Sequence, residues 1–308
     1  MSLVAALKGK GPSGFGYGST TDDVTRGLDL SGRSFLVTGA TSGLGLETTR
    51  ALTARGARVL AAGRSVDKVR DATRALGALA AQITPIACEL SEPSSVRAAV
   101  DAVKATGLRL SAIVANAGIM ALPKLETKHG VELQLFTNHV GHFILVTGLV
   151  DVLADDGRVV MVSSEGHKLA PRGGVQLDNL DGHAGYDAWR AYGQSKLANI
   201  LFARRLAKRF AGTQRTANAL HPGVIATNLT RHSGAIVDAG MKLIEPLFLK
   251  SIPQGAATQT YLACHPAAAS TSGAYFADVN VAGPSRHAQD DALADGLWAA
   301  TEAIVARV

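Results

Sequence analysis

Tyr192 and Lys196 stand four residues apart in "AYGQSKLAN", a stretch made largely of small and apolar side chains. Residues at i and i+4 share one helical face, so this spacing sets an ammonium beside a phenol. An unperturbed phenol has a pKa of about 10, and lowering it by about three units takes about 4 kcal/mol. A positive charge ~5 Å away supplies roughly 3 kcal/mol at an effective dielectric of 20. The pair therefore reads as a proton donor and acceptor usable near neutral pH.

A second group of residues, "VTGATSGLG", could hold a phosphorylated ligand. Gly39 permits a tight turn, Gly43 lets the backbone approach a pyrophosphate, and Gly45 allows close packing of the helix that follows. The helix N-terminus adds free amides and the positive end of a dipole. The spacing is T-G-x-x-x-G-x-G rather than G-x-G-x-x-G, and its place after a strand and before a helix strengthens the reading.

The elements that must position these residues follow from the hydrophobic pattern. Short β-rich runs, "SFLVT", "ARVLAA", "ITPIAC", "SAIVAN", "GRVVMVS", "TANAL" and "GAYFA", predict seven strands, and helical spacing predicts helices over 44–55, 94–105, 130–153 and 189–210. Strict alternation of strand and helix implies an α/β fold: a doubly wound parallel sheet (Rossmann fold) in one domain over 31–308, with helices on both faces. Residues 9–20 are rich in glycine, so 1–30 reads as a flexible N-terminal arm. Two segments break the rhythm, 165–190 and 224–252, and both follow strands at the end where a ligand sits. They read as walls of a substrate pocket, the second as a lid.

Apolar residues make up 47% of the 308, ample for a core, and charged residues 18%, unlike a disordered chain. The formal charge of +6 is scattered except for "RRLAKR" at 204–209, which reads as a solvated helix face rather than a nucleic-acid patch. Cys88 and Cys264 match no metal or CxxC spacing, so reduced thiols in the cytoplasm are expected. No run approaches the roughly 18 apolar residues of a membrane span.

Beyond the glycine loop, "ANAGI" places Asn116, Ala117 and Gly118 after the fourth strand, "TNHVG" puts Asn138 in a helix, "MVSSEG" ends the fifth strand at Ser164, and "HPGVIAT" follows the sixth. Over about residues 31–280 this pattern resembles the short-chain dehydrogenase/reductases, and "TNHVGHFIL" and "AYGQSKLANILFARRLAKR" resemble the retinol-dehydrogenase-like branch. The resemblance implies hydride transfer between a nicotinamide cofactor and a hydrophobic alcohol, aldehyde or ketone. Tyr192 would exchange the proton, Ser164 orient the reacting oxygen, Lys196 lower the tyrosine pKa and hold the nicotinamide ribose, and Asn138 anchor a proton-relay water. Cofactor contacts are implied at Gly39, Thr41, Ser42, Gly43, Leu44, Gly45, Arg64, Glu89, Leu90, Asn116, Ala117, Gly118, Tyr192, Lys196, Pro222, Gly223 and Thr227. The family typically packs its tyrosine-bearing helix and that helix's neighbour across a two-fold axis, which implies a homodimer or homotetramer.

The second strand ends near Ala62 in "AAGRS", without the aspartate that grips adenosine ribose hydroxyls in NAD-preferring members. Arg64 is available to pair with a 2′-phosphate, which favours NADP(H), with NAD(H) as the alternative. Against this, many NADP-preferring members carry a basic residue where Ser42 stands, and Glu89 replaces the usual aspartate near adenine. Ser163 points opposite to Ser164 along a strand. Tyr186 reads as a pocket or surface tyrosine, His221 as packing, and His167 as close enough to the serine to touch substrate. His139 and His142 share a face but lack further ligands for a metal. Two rivals are a sugar-nucleotide epimerase, which usually carries T-G-x-x-G-x-x-G, and a non-catalytic dinucleotide sensor.

Overall fold

The structure, a computed structural model, describes residues 8–225 and 249–308. Strands β1 (Ser34–Thr38), β2 (Arg58–Gly63), β3 (Ile83–Ala87), β4 (Leu110–Ala115), β7 (Leu153–Val162), β8 (Thr216–Leu220), β9 (Tyr275–Ala277) and β10 (Asn280–Val281) form one sheet. Its order is β10-β9-β8-β7-β4-β1-β2-β3, parallel except for β10 against β9. Two further short strands, β5 (Thr127–Lys128) and β6 (Val131–Glu132), make a separate hairpin. The strand order reverses direction between β1 and β4, and a doubly wound sheet opens its ligand crevice at that point.

All seven expected strands are present. The eighth, β10, is two residues long, and the turn before it carries Asp278 and Val279 at φ of 51° and 66°. Such turns normally announce themselves with Asn-Gly or Asp-Gly, and this one has no glycine.

Strand side chains alternate between two cores, as a period of two requires. Phe35 and Val37 face one layer with Val24, Val69, Ala257 and Tyr261, while Leu36 faces the other with Val96, Phe143, Leu197 and Trp298. The first layer holds α1 (Thr21–Thr25), α2 (Gly43–Thr53), α3 (Val66–Arg74) and α7 (Ile252–Cys264). The second holds α4 (Pro93–Ala105), α5, α6 (Ala188–Arg209) and α8 (Asp291–Val305). Helix α5 starts at Leu133–Leu135, passes through a π turn at Phe136–Val140 and continues as Gly141–Leu149. π turns inside helices frequently mark functional positions, and this one contains Asn138. Leu133–Val152 is long and apolar enough to cross a membrane, but 72% of the window is buried inside the domain.

Residues 8–30 differ from the expected flexible arm. Thr20 and Asp23 form a capping box at the start of α1, and Val24 and Leu30 are buried in the first core. Asn280 accepts from the Ser13 amide at 3.0 Å and donates to the Phe15 carbonyl at 3.0 Å. Gly9 and Gly14, both at positive φ, give this segment its turns, so glycine here specifies a path rather than freedom.

The basic cluster is likewise not a free face. Arg204 and Lys208 pair with Asp291 at 3.0 and 2.8 Å, Arg205 with Asp295 at 2.9 Å, and Arg209 lies 4.5 Å from the Trp298 ring centroid. Trp298 also packs on Phe143 and Phe202. Helix α8 therefore covers the aromatic ridge of α5 and α6, part of the face expected to meet a second copy.

Candidate active site

Parallel strands β1, β4 and β7 bring the site residues to one end of the sheet. After Thr38, Gly39 and Gly43 turn the chain at φ of 67° and 54° into α2. A Cβ on Gly45 would lie 2.3 Å from the Gly39 carbonyl oxygen, so only glycine lets the helix begin this close to the loop. Ser42 stands at the N-cap without a side-chain cap bond, leaving the first amides of α2 unclaimed by it. Among the described residues, no atom beyond its own chain neighbours and helix backbone lies within 4 Å of where a Cβ on Gly43 would stand. The cradle thus has the shape and the free N–H groups that a pyrophosphate requires.

Thr38 ties this loop to the rest of the site. Its Oγ1 accepts from the amides of Asn116 and Ala117 at 2.9 and 3.0 Å and lies 2.9 Å from His142 Nε2. With two N–H donors already on the hydroxyl, its own proton goes to His142 Nε2, so Nδ1 carries the ring hydrogen and donates to the Asn138 carbonyl at 3.0 Å. Burial holds the His142 pKa down at about 4, which keeps the ring neutral. Asn116 Nδ2 donates to the Thr38 carbonyl at 2.8 Å, and its Oδ1 accepts from Gln259 at 3.2 Å. Gln259 carries no motif that marks it, and Thr38 and His142 lie in motifs the sequence shows but without an assigned polar partner. Their roles depend on contacts across 78 to 143 residues of chain.

Asn138 is fully buried in its π turn. Its Oδ1 accepts from the Ile119 amide at 2.8 Å, and its Nδ2 donates to the Ile119 carbonyl and to Ser195 Oγ, each at 2.9 Å. Ser195 in turn donates to the Tyr192 carbonyl at 2.7 Å, so Asn138 links the chain after β4 to the helix bearing the tyrosine. A Cβ on Gly118 would lie 2.9 Å from Asn138 Oδ1 and 3.2 Å from Lys196 Nζ. Bare glycine at 118 lets those two groups converge there.

Tyr192 and Lys196 meet as their i to i+4 spacing leads one to expect, and Ser164 lies beside Gly166 and Tyr192, where the resemblance implied it. Tyr192 and Ser164 both border Gly166, where a Cβ would lie 2.9 Å from Tyr192 Cε1 and 3.3 Å from Ser164 Oγ, and Lys196 Nζ lies 5.8 Å from the Tyr192 ring centroid. Lys196 Nζ donates to the Val162 carbonyl at 3.1 Å at the end of β7. Burial pushes the Tyr192 phenol above its usual range, against the pull of Ser164, and burial lowers Lys196 to about 8. In the protein by itself, desolvation thus outweighs the downward push expected from the ammonium. Ser163 faces away, donating to the Lys196 carbonyl at 2.7 Å.

The remaining expected contacts divide. Arg64 is exposed just past β2, and no ion pair or hydrogen bond engages its guanidinium among the described residues. Glu89 Oε1 is held by Ser91, accepting from its amide at 3.2 Å and its hydroxyl at 3.0 Å. Leu90 is buried, with its carbonyl against Gly141 of α5. Pro222 and Gly223 follow β8, Gly223 at φ 90°, while Thr227 and most of the expected lid lie outside the described residues.

His167 differs from a substrate contact: its Nδ1 donates to the Ser164 carbonyl at 2.7 Å and its Nε2 accepts from the Ser285 amide at 3.0 Å. Both nitrogens serve the backbone. Tyr186 donates to the Leu122 carbonyl at 2.7 Å. Among the described residues no group of three His, Cys, Asp or Glu side chains could hold a metal ion.

Residues 33–236 match the short chain dehydrogenase family. The chain is 39% identical over 310 residues to the short-chain dehydrogenase TIC 32 A, chloroplastic, of Brassica napus, covering 97% of each. It is 36% identical over 278 residues to human retinol dehydrogenase 11, covering 89% of this chain and 86% of that one. A crystal structure of an uncharacterized protein from Mycobacterium paratuberculosis superposes with a TM-score of 0.72 at 34% identity, over 94% of this chain and 98% of that one. The Pseudomonas aeruginosa RhlG/NADP complex does so with a TM-score of 0.64 at 25% identity, over 80% and 94%. The chain belongs to the short-chain dehydrogenase/reductases and is an oxidoreductase acting on CH–OH groups, with retinol dehydrogenases among its relatives.

Proposed function

We propose that this protein interconverts a hydrophobic alcohol and its aldehyde or ketone, using NADP(H). The observation that carries the reading is the buried pair Tyr192 and Lys196, with half-buried Ser164 beside the phenol, next to a glycine cradle whose geometry suits a pyrophosphate. Bound in that cradle, the nicotinamide would supply or accept the hydride. Gly39, Thr41, Ser42, Gly43, Leu44 and Gly45 would hold the pyrophosphate, Asn116, Ala117 and Gly118 would form the floor, and Pro222 and Gly223 would close the far side. Leu90 meets adenine through its backbone.

Tyr192 gives its proton to the substrate oxygen in reduction and takes it back in oxidation, while Ser164 orients that oxygen through its hydroxyl. Lys196 holds the ribose and supplies positive charge to the phenol. Burial raises the Tyr192 pKa, so the downshift needed for base chemistry depends on charge gathered when the site fills. Asn138 holds the loop after β4 against α6 and borders the path by which Lys196 exchanges protons.

Arg64 supports NADP(H) over NAD(H): it is exposed just past β2, has no competing partner among the described residues, and its guanidinium suits a 2′-phosphate. Glu89, already committed to Ser91, contributes little to adenine recognition. The substrate is a hydrophobic alcohol, aldehyde or ketone, a class that includes the substrate named for the retinol dehydrogenase relatives. Both cysteines are free and buried, consistent with a reducing compartment such as the cytoplasm. A homodimer or homotetramer would form over surface outside the ridge that α8 covers.

Titration with NADPH and NADH, followed by absorbance of the reduced nicotinamide as apolar aldehydes and ketones are added, tests this function. Tighter NADPH binding and its oxidation by a member of the panel are expected. Binding of neither cofactor refutes it.

A further inference from the structure

Lys250 is 1% exposed, a depth at which an ammonium needs a specific partner. Its Nζ pairs with Asp278 Oδ1 at 2.7 Å and lies 4.9 Å from the Tyr17 ring centroid. Asp278 Oδ2 also pairs with Lys8 at 3.2 Å. Asp278 stands in the turn between β9 and β10, whose next residue, Val279, is held at φ 66°. That conformation is strained for a β-branched side chain and persists only where the surroundings enforce it. Here full burial and a 3.1 Å bond from the Val279 amide to Thr258 Oγ1 do so.

The rest of Lys250 reaches the turn after β8. Its amide donates to the Val224 carbonyl at 2.9 Å, and its backbone bridges to Ile225. A Cβ on Gly223 would lie 2.8 Å from Lys250 Cδ and 3.1 Å from Cε, so the lysine stem is packed flat against that glycine. Three consecutive residues of "HPGVI" therefore rest on one side chain and its backbone. The stem stays in place because moving it would strand a buried charge.

We infer that Lys250, pinned by Asp278 in the strained β9–β10 turn, is a positioning residue that fixes the Gly223–Ile225 turn in the form that receives the dinucleotide. The inference rests on the dinucleotide reading above. It gives the β9–β10 turn a purpose: the strained backbone delivers a carboxylate to the one place where it neutralises this ammonium.

Fluorescence titration with NADPH of the wild type, Lys250→Met, the double variant Lys250→Met/Asp278→Asn and Lys8→Met tests it, with urea unfolding and steady-state kinetics alongside. Lys250→Met should raise the NADPH Kd and KM ~10-fold, about 1.4 kcal/mol, while kcat at saturating cofactor changes less than ~3-fold. The double variant leaves no buried charge unpaired and should regain stability yet keep the raised Kd. Lys8→Met, which removes only the exposed arm of the network, should bind as the wild type. Binding within twofold of the wild type by either folded Lys250 variant overturns the inference alone. A wild type that binds neither NADPH nor NADH overturns the dinucleotide reading and this inference with it.

Discussion

Replacing Lys196 with methionine should stabilise the protein while removing its activity. Burial lowers the lysine pKa from 10.5 to about 8, and at about 1.4 kcal/mol per pH unit this sets roughly 3 kcal/mol against the charged lysine in the fold. Methionine fills similar space without charge but gives up the bond to the Val162 carbonyl, about 1 kcal/mol. That carbonyl still accepts from Asn199 at 3.2 Å, so nothing is left unsatisfied. The net gain at pH 7 is about 2 kcal/mol. Its pH dependence has a definite sign. Below about 8 the lysine is charged in both states and the folded protein bears the full penalty. Between about 8 and 10.5 the unfolded chain binds more protons than the folded one, so wild-type stability rises with pH, and above 10.5 the penalty is gone. Cys88 and Cys264, both pushed up to about 12 by burial, act oppositely at alkaline pH but are common to both proteins. Urea unfolding of the cofactor-free wild type and variant from pH 6 to 10.5 gives a difference curve that isolates Lys196. The variant should be more stable at pH 7, its advantage should vanish by 10.5, and its kcat/KM should fall by at least ~100-fold. Parallel stability curves, or a variant less stable at pH 7, would refute the desolvation reasoning.

Two further substitutions divide proton transfer from cofactor choice. Tyr192→Phe should bind NADPH nearly as the wild type while losing at least ~100-fold in kcat, since it keeps the ring and deletes only the group that carries the proton; single-turnover absorbance measurements check this, and activity within a few-fold of wild type sinks the assignment. Arg64→Ala should weaken NADPH binding ~10-fold or more and NADH binding less than ~2-fold, read by parallel titrations. Equal losses for the two cofactors would remove Arg64 from the 2′-phosphate.

What the sequence discloses and what it conceals have separable physical causes. The central strands β1, β2 and β4 are buried almost throughout and read as near-continuous apolar runs, and all seven expected strands are there. Tyr192, Lys196 and the three loop glycines were legible because their relations are local, set by the helical repeat or by a single turn. The bonds under them were not: Asn138 was marked by its motif, but its links with Thr38, His142 and Ser195 join distant parts of the chain, and such bonds leave no periodicity. The same holds for Arg204, Arg205 and Lys208, which read as a solvated face until α8 supplies Asp291 and Asp295.

The direction of the tyrosine shift shows why spacing alone could not finish the chemistry. An i to i+4 pair fixes distance, and at 5.8 Å from the ring centroid the ammonium is about where the spacing places it. Spacing says nothing of dielectric surroundings. Burial to 8% and 4% exposure desolvates phenol and ammonium together, raising one pKa and lowering the other, so both neutral forms gain in the protein by itself. Any positive charge brought near such a phenol acts with little water to screen it.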